Sequence, residues 1–188
     1  MKHIKLASAI AFVLGVAAVG TASASTGGTI TFTGSVADAT CSVGGGTGTD
    51  GGSGNFNVAL DQASLADVAT AGTVSHNKPF QVMIGGPGQS SCAAGTVATM
   101  SFLPSSTQID ATTGALQNAL ATGAKNVEIQ LADSAGTAID LTTGATQMVT
   151  VAAGATQATL GYSAQYLPTA VGTSGLISTS VVYNVDYN

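Results

Sequence analysis

Two cysteines, Cys41 and Cys92, are the residues of this 188-residue chain best suited to covalent chemistry. A redox or metal-binding pair would favour a C-x-x-C spacing or neighbouring histidines and cysteines, and the sequence shows neither. In an oxidising compartment, a lone pair of cysteines is expected to form a disulfide. The compartment therefore decides what the two thiols do.

The first 24 residues predict export. Lys2 and Lys5 make the start basic, the run IAFVLGVAAVG is apolar, and the ASA at 22–24 predicts signal-peptide cleavage between Ala24 and Ser25. A membrane-spanning helix is the alternative, but spanning takes roughly 20 apolar residues. This run ends in Thr, Ser and Gly without a basic stop. Export to an oxidising compartment predicts one Cys41–Cys92 disulfide, which closes a loop of about 50 residues and contributes about 4 kcal/mol in the chain-entropy model.

Acid–base catalysis has few candidate residues. His76, the one histidine outside the signal, could be a general base, but it lies in the polar stretch GTVSHNKPF and no G-x-S-x-G motif accompanies it. An exposed loop histidine is the preferred interpretation. Whether two carboxylates meet in space stays open, because they are scattered along the chain: Asp61, Asp67, Asp110, Glu128, Asp133, Asp140 and Asp186. No enzyme activity and no cofactor are predicted.

A glycine-rich insert, GGGTGTDGGSGN at 44–55, has two interpretations. Residues 45–50 spell G-G-x-G-x-D, the start of a calcium-binding β-roll repeat. That repeat needs an apolar residue where Gly52 stands, and it needs several stacked copies, whereas this chain has one. A flexible surface loop is therefore preferred.

The charge left after signal cleavage excludes some partners. Two lysines and no arginine remain against nine carboxylates, a net charge of −7. Such a chain has no basic surface for phosphates or for an anionic membrane. Nucleic-acid binding and membrane insertion after cleavage are not expected.

The mature chain of about 164 residues suits one domain, and its pattern is all-β, because short β-type runs alternate with Gly, Ser, Thr, Asn and Pro. Two segments, 61–69 and 114–123, could instead be short helical turns. The number of strands favours an immunoglobulin-like sandwich. Candidate strands cover 28–37, a short stretch around Cys41, 55–60, 79–84, 96–103, 126–131, 137–141, 146–151, 156–166 and 177–187.

Both ends of the mature chain alternate apolar and polar residues. Near the start, one face carries Ile30, Phe32, Gly34 and Val36, and near the end one face carries Val181, Tyr183, Val185 and Tyr187. Chain ends usually fray, so an amphipathic terminal strand must dock somewhere. The first strand completes either its own sandwich or that of another molecule, and the residues alone leave both open.

Four pieces in order, together with the signal and the cysteine pair, give the mature chain its resemblance to a known family. They are GTITFTGSVADATCSV, KPFQVMIGGPGQSSC, NVEIQLADSAGTAIDL, and YSAQYLPTA followed by SVVYNVDYN. The chain resembles the major subunits of type 1-like fimbriae assembled by the chaperone-usher route. Tyr187 matches the family's penultimate tyrosine, whereas the insert 44–55 and the scarcity of basic residues depart from the pattern.

The resemblance implies an incomplete immunoglobulin-like β-sandwich of Greek-key topology, whose final strand comes from a neighbouring subunit. It divides the chain into a signal at 1–24, a donor-strand extension at 25–38 and a pilin domain at 39–188. Ile30, Phe32 and Val36 would fill the neighbour's groove, and Gly34 would sit where that groove is shallow.

The same resemblance implies partners and a location. The C-terminal strand, with Val181, Tyr183, Val185, Tyr187 and Asn188, would dock on a periplasmic chaperone, and an outer-membrane usher would export the subunits. The product would be a homopolymer, a fimbria on the bacterial surface that mediates adhesion. A minor adaptor or tip-associated pilin and a self-contained secreted binding sandwich are the alternatives.

Overall fold

The computed structural model describes residues 41–89 and 92–188. The predicted signal, donor extension and strand at 28–37 lie outside these residues. The described chain contains a single-turn 3₁₀ helix, Leu141–Thr143, and seven strands: β1 (Val43–Gly45), β2 (Ser75–Gly85), β3 (Val97–Phe102), β4 (Val127–Asp133), β5 (Thr146–Thr150), β6 (Gln157–Pro168) and β7 (Tyr183–Tyr187). The all-β prediction is confirmed. Across these residues, no helix is long or apolar enough to cross a bilayer.

The strands form two antiparallel sheets with non-sequential neighbours. One sheet has the order β1-β2-β6-β4 and the other the order β5-β3-β7. Along β3, Ala98, Met100 and Phe102 are buried and alternate with half-buried residues, as expected for a strand with one face on a core. The predicted immunoglobulin-like sandwich is confirmed.

Three aromatic rings connect the two sheets through the core. The Tyr162 ring of β6 stacks on Phe80 of β2 with centroids 5.6 Å apart, and it meets Phe102 of β3 edge-on at 5.5 Å. All three residues are buried. Burial also raises the pKa of the Tyr162 hydroxyl well above its usual range, because the charged phenolate would lose its hydration.

The predicted disulfide is present between Cys41 and Cys92, whose Cα atoms lie 4.8 Å apart. It fastens the start of the described domain to the connection between β2 and β3. Gly85, the last residue of β2, leaves space for it: a Cβ there would lie 2.6 Å from Cys92 Sγ and 2.3 Å from the Thr156 carbonyl oxygen. Its φ of +81° is also a conformation that favours glycine.

The glycine-rich insert is more ordered than predicted. Residues 43–45 form β1 on β2, Gly44 bridges Ser53, and the Gly45 amide donates to the Gly52 carbonyl. The Asp50 carboxylate accepts hydrogen bonds from the backbone and side-chain amides of Asn57. Its oxygens thus close a turn, and the insert is a hydrogen-bonded surface loop whose first two residues belong to β1.

Three further predictions needed correction. The predicted strand at 137–141 makes only an isolated bridge before the 3₁₀ helix, because the Asp140 carboxylate caps that helix. Neither predicted helical turn, at 61–69 or 114–123, is a helix in the described structure. Leu116 instead bridges Ile129 of β4, since a sheet edge offers its backbone a partner.

We expect Gly85→Ala to destabilise the domain by about 2 kcal/mol, through strain at positive φ and a clash with the disulfide. Urea unfolding of the mature protein measures this. Gly86→Ala is the matched control, because a Cβ there meets no atom within 4 Å. Equal unfolding midpoints for the two variants would contradict the requirement for glycine at position 85.

Candidate functional site

A groove of about 1080 Å³ opens on the core between two chain segments, 56–65 and 173–183. Small-molecule sites usually enclose about 300–1,000 Å³, so this groove lies just above their range. Both sheets contribute apolar side chains to its lining, including Phe80, Met100, Phe102, Ile129, Leu131 and Tyr166.

The first wall of the groove, residues 56–65, begins as an extended segment. Phe56, Val58 and Leu60 are half-buried and pack on the core, whereas Asn57 and Ala59 are exposed. This alternation produced the strand prediction for 55–60. In the described structure the segment belongs to neither sheet, so it has the side-chain pattern of a strand without a ladder.

In the second wall, too, the alternation of side chains extends beyond the hydrogen-bonded ladder. The strand predicted at 177–187 forms a ladder only from Tyr183 to Tyr187. Upstream of it, Ile177, Thr179 and Val181 are still half-buried and alternate with exposed residues. The predicted shared face of Val181, Tyr183, Val185 and Tyr187 is therefore present, and all four pack on the core.

The backbone of β7 has one paired edge. Even-numbered residues point toward β3: Asn188 exchanges two hydrogen bonds with Val97, and Val182 accepts one from the Leu103 amide. In an antiparallel ladder, the alternate residues direct their N–H and C=O groups to the opposite side. No described strand pairs with that side, so the groove runs beside an edge that can accept one more strand.

Contacts between the walls bound the groove at both ends. At one end the rings of Phe56 and Tyr183 lie 5.9 Å apart, and the Tyr183 hydroxyl donates to the Gly54 carbonyl. At the other end the Gly172 amide donates to the Val68 carbonyl at 2.9 Å. The opening between them is elongated.

Polar contacts fix the first wall to the four-stranded sheet. The Asp61 carboxylate accepts from Lys78 Nζ at 2.9 Å, and the Asp61 carbonyl accepts from the Tyr166 hydroxyl at 2.9 Å. These contacts use backbone and side chain of the same residue, so they set both the position and the direction of the wall.

His76 lies in this anchoring region and was predicted wrongly as an exposed loop residue. It is the second residue of β2, is partly buried, and places Nε2 3.0 Å from Asp67 Oδ2. The Ser64 hydroxyl donates to the same carboxylate oxygen at 2.6 Å. Because the carboxylate lies between hydroxyl and imidazole, this arrangement cannot activate the serine as a nucleophile.

Asn118 fixes the second wall, and sequence reasoning missed it. Its Nδ2 donates to the carbonyls of Leu176 and Ala124, and its Oδ1 accepts from the amides of Leu120 and Ser178. One side chain thus occupies the backbone groups that a neighbouring strand would otherwise pair with. Its contacts with Leu176 and Ser178 span about 60 positions, so no local sequence signal could have revealed that it fixes this wall.

The C-terminal residues are tied to the disulfide. The Tyr187 hydroxyl donates to the Cys41 carbonyl at 2.8 Å, and burial raises its pKa. The predicted donor residues Ile30, Phe32, Gly34 and Val36, and the cleavage position between Ala24 and Ser25, lie outside the described residues.

Fold and groove together define an immunoglobulin-like domain with one open sheet edge above its core. The model of the family described as "Fimbrial protein" matches residues 30–188. The chain belongs to this family, and is thus an exported structural subunit of a cell-surface fimbria.

This chain is similar to known fimbrial subunits over most of their length. The major fimbrial subunit SMF-1 of Stenotrophomonas maltophilia (strain K279a) is 40% identical over 86% of this chain and 92% of its own length. The F17 fimbrial protein of Escherichia coli is 36% identical over 95% of this chain and 98% of its own. The P pilus rod subunit PapA shares the fold, with a TM-score of 0.54 and 19% identity over 80% of this chain and all of that one.

We expect Asn118→Asp to destabilise the second wall by about 2 kcal/mol, because the isosteric carboxylate cannot donate to two carbonyls and repels them. Urea unfolding of the mature protein is the measurement. Asn55→Asp is the control, since Asn55 is exposed and its side chain makes no hydrogen bond within the described residues. An Asn118→Asp midpoint equal to that of the control would exclude the anchoring role.

The Asp67 contacts predict a defined acid sensitivity. Hydrogen bonds from Ser64, then from His76, lower the pKa of Asp67 from 3.8 to about 2. A carboxyl group with a lowered folded-state pKa adds stability that is complete above its unfolded value and lost as pH falls from about 4 to about 2. Asp67→Asn should therefore show a smaller decrease of the unfolding midpoint between about pH 4 and about pH 2 than the wild type shows. Identical slopes for Asp67→Asn and wild type would refute the linkage.

Proposed function

We propose that this chain is a chaperone-usher rod subunit that polymerises by donor-strand exchange, with residues 25–38 of one subunit completing the groove of the next. The observation that carries the proposal is the open edge of β7 beside an apolar groove. A strand added there would gain a ladder from the unpaired backbone groups and pockets for alternate side chains, the two components of β-augmentation.

The dimensions of the extension suit the groove. From Ile30 to Val36 an extended chain covers about 20 Å, and the half-buried stretch of the second wall from Ile177 to Tyr183 has the same number of residues. Burying Ile30, Phe32 and Val36 contributes about 1.5–3 kcal/mol each before the ladder is counted. Gly34 lacks a side chain and thereby fixes the register, because a slip would place a large side chain at its shallow position.

The same groove explains the need for assembly partners. An open strand edge beside an apolar floor is an aggregation hazard until it is filled. A periplasmic chaperone would lend a strand to it, docking along Val181, Tyr183, Val185, Tyr187 and Asn188. The outer-membrane usher would then be where the neighbour's extension replaces that strand.

Head-to-tail insertion leads to a fibre. Each subunit offers its extension to one neighbour and its groove to another, so the contact is heterologous and does not close on itself. We assign no catalytic role to the chain, because the Ser64 and His76 side chains beside the first wall both contact the Asp67 carboxylate rather than each other.

The test is to remove residues 25–37 and add back a synthetic peptide of residues 25–38. We expect the truncated chain to aggregate or unfold when alone and to become a stable monomer when the peptide binds, read by size-exclusion chromatography and thermal unfolding. A full-length chain that stays a stable monomer, with its first strand protected from hydrogen exchange within its own fold, would overturn the proposal.

Matched peptides sharpen this test. A Phe32→Asp peptide should bind at least about 100-fold more weakly, because it buries a charge in place of an aromatic ring. A Thr33→Asp peptide carries the same charge on the outward face and should bind nearly as well as the natural sequence. Equal binding of both would rule out the alternating register.

A further inference from the structure

We propose that an exposed apolar surface beside one end of the groove binds the folded body of the subunit that donates its strand. This surface, the groove-end patch, consists of Leu65, Leu120, Val171 and Leu176. The inference rests on the proposed donor-strand exchange and adds a second contact between successive copies of the chain.

The patch gathers large apolar side chains that folding leaves in solvent. Leu176 is 77% exposed, Val171 69%, Leu65 57% and Leu120 36%. Within the described residues these are four of the seven exposed large hydrophobic side chains, although they come from three separate parts of the sequence. Single exposed leucines need no explanation, but a cluster at one end of a binding groove indicates an interaction.

Backbone contacts hold the three segments of the patch together. Gly123 lies between Leu120 and Leu176: a Cβ built there would be 3.0 Å from Leu120 Cβ and 2.2 Å from the Leu176 carbonyl oxygen. Leu65 and Leu176 both line the groove. Val171 adjoins Gly172, whose amide donates to Val68 on the Leu65 segment.

The direction of the added strand decides which end of the groove meets the donor's body. All five strand pairings in the described domain are antiparallel, the slightly more stable arrangement per residue. A donor strand antiparallel to β7 has its N-terminal end near Tyr187. Its C-terminal end, at Val36, then lies beside Ile177 and the patch.

The chain length after Val36 keeps the donor's body close. Only five residue steps separate Val36 from Cys41, where the disulfide fixes the chain into the domain, and they span at most about 18 Å. The end of the donor domain that carries Cys41 must therefore sit near the groove-end patch of the acceptor.

At the Cys41 end of the domain, the turns suit such a contact because their side chains are small and uncharged. These turns present Ala93, Gly95, Ala152 and Ala153, all exposed, and the Gly95 amide donates to Val151 to hold the turns side by side. The segments 85–89, 92–96 and 151–156 contain no charged residue. Leucine side chains can therefore pack there without burying an unpaired charge.

The experiment compares two donors competing for one groove. The acceptor is the full mature chain with Phe32→Asp, so that its own extension donates poorly. It is refolded with the peptide of residues 25–38 in its groove, which a competing strand can replace. The competing donors are that peptide alone and the wild-type mature chain whose own groove is already occupied by peptide. The readout is the preference of the acceptor for the whole donor over the peptide.

We expect Val171→Asp or Leu120→Asp in the acceptor, two patch residues outside the groove lining, to reduce this preference about tenfold, while the affinity for the free peptide is unchanged. Met148→Asp is the control, because Met148 is 71% exposed on β5, outside the patch, and its substitution should change neither quantity. An unchanged preference with intact peptide binding would overturn the patch and leave donor-strand exchange standing. If the acceptor without a patch substitution binds neither the peptide nor the whole subunit, the patch contact and donor-strand exchange are both overturned.

Discussion

The unpaired edge of β7 determines how both walls of the groove are held in place. Backbone N–H and C=O groups near a core must find partners, and those on the groove side of this strand find none within the described domain. The groove must keep the width of one strand, so its two walls can neither move apart nor collapse onto each other. The wall anchors therefore belong to the binding apparatus as much as the apolar floor does.

The anchors use different chemistry on the two walls. The first wall depends on charged and polar side chains, with Asp61 bound to Lys78 and Asp67 bound to Ser64 and His76. The second depends on one neutral amide, Asn118, whose donors and acceptors are all engaged. Protonation of Asp67 at low pH weakens the first set, whereas the Asn118 amide does not titrate, so the two walls differ in how they respond to pH.

The sequence predicted the sandwich, the disulfide and the inward face of the last strand, because period-two alternation and cysteine pairing are local signals. It wrongly assigned complete strands at 55–60 and 177–187. Alternation of apolar and polar residues shows which side chains face a core, whereas a strand ladder also requires a backbone partner. The segments that have the alternation but lack the ladder are the walls of the groove. Asn118 and the His76–Asp67 pair were not predictable, because each depends on side chains brought together by the fold.

The position of the disulfide has a mechanical consequence for a fibre joined by inserted strands. Tension would enter each subunit through the short stretch before Cys41, and the covalent bond to Cys92 passes that load directly to the connection between β2 and β3. The three-residue strand β1 is then spared from being peeled off β2 one hydrogen bond at a time. In the proposed fibre, each subunit would therefore receive the load through a covalent link at its entrance.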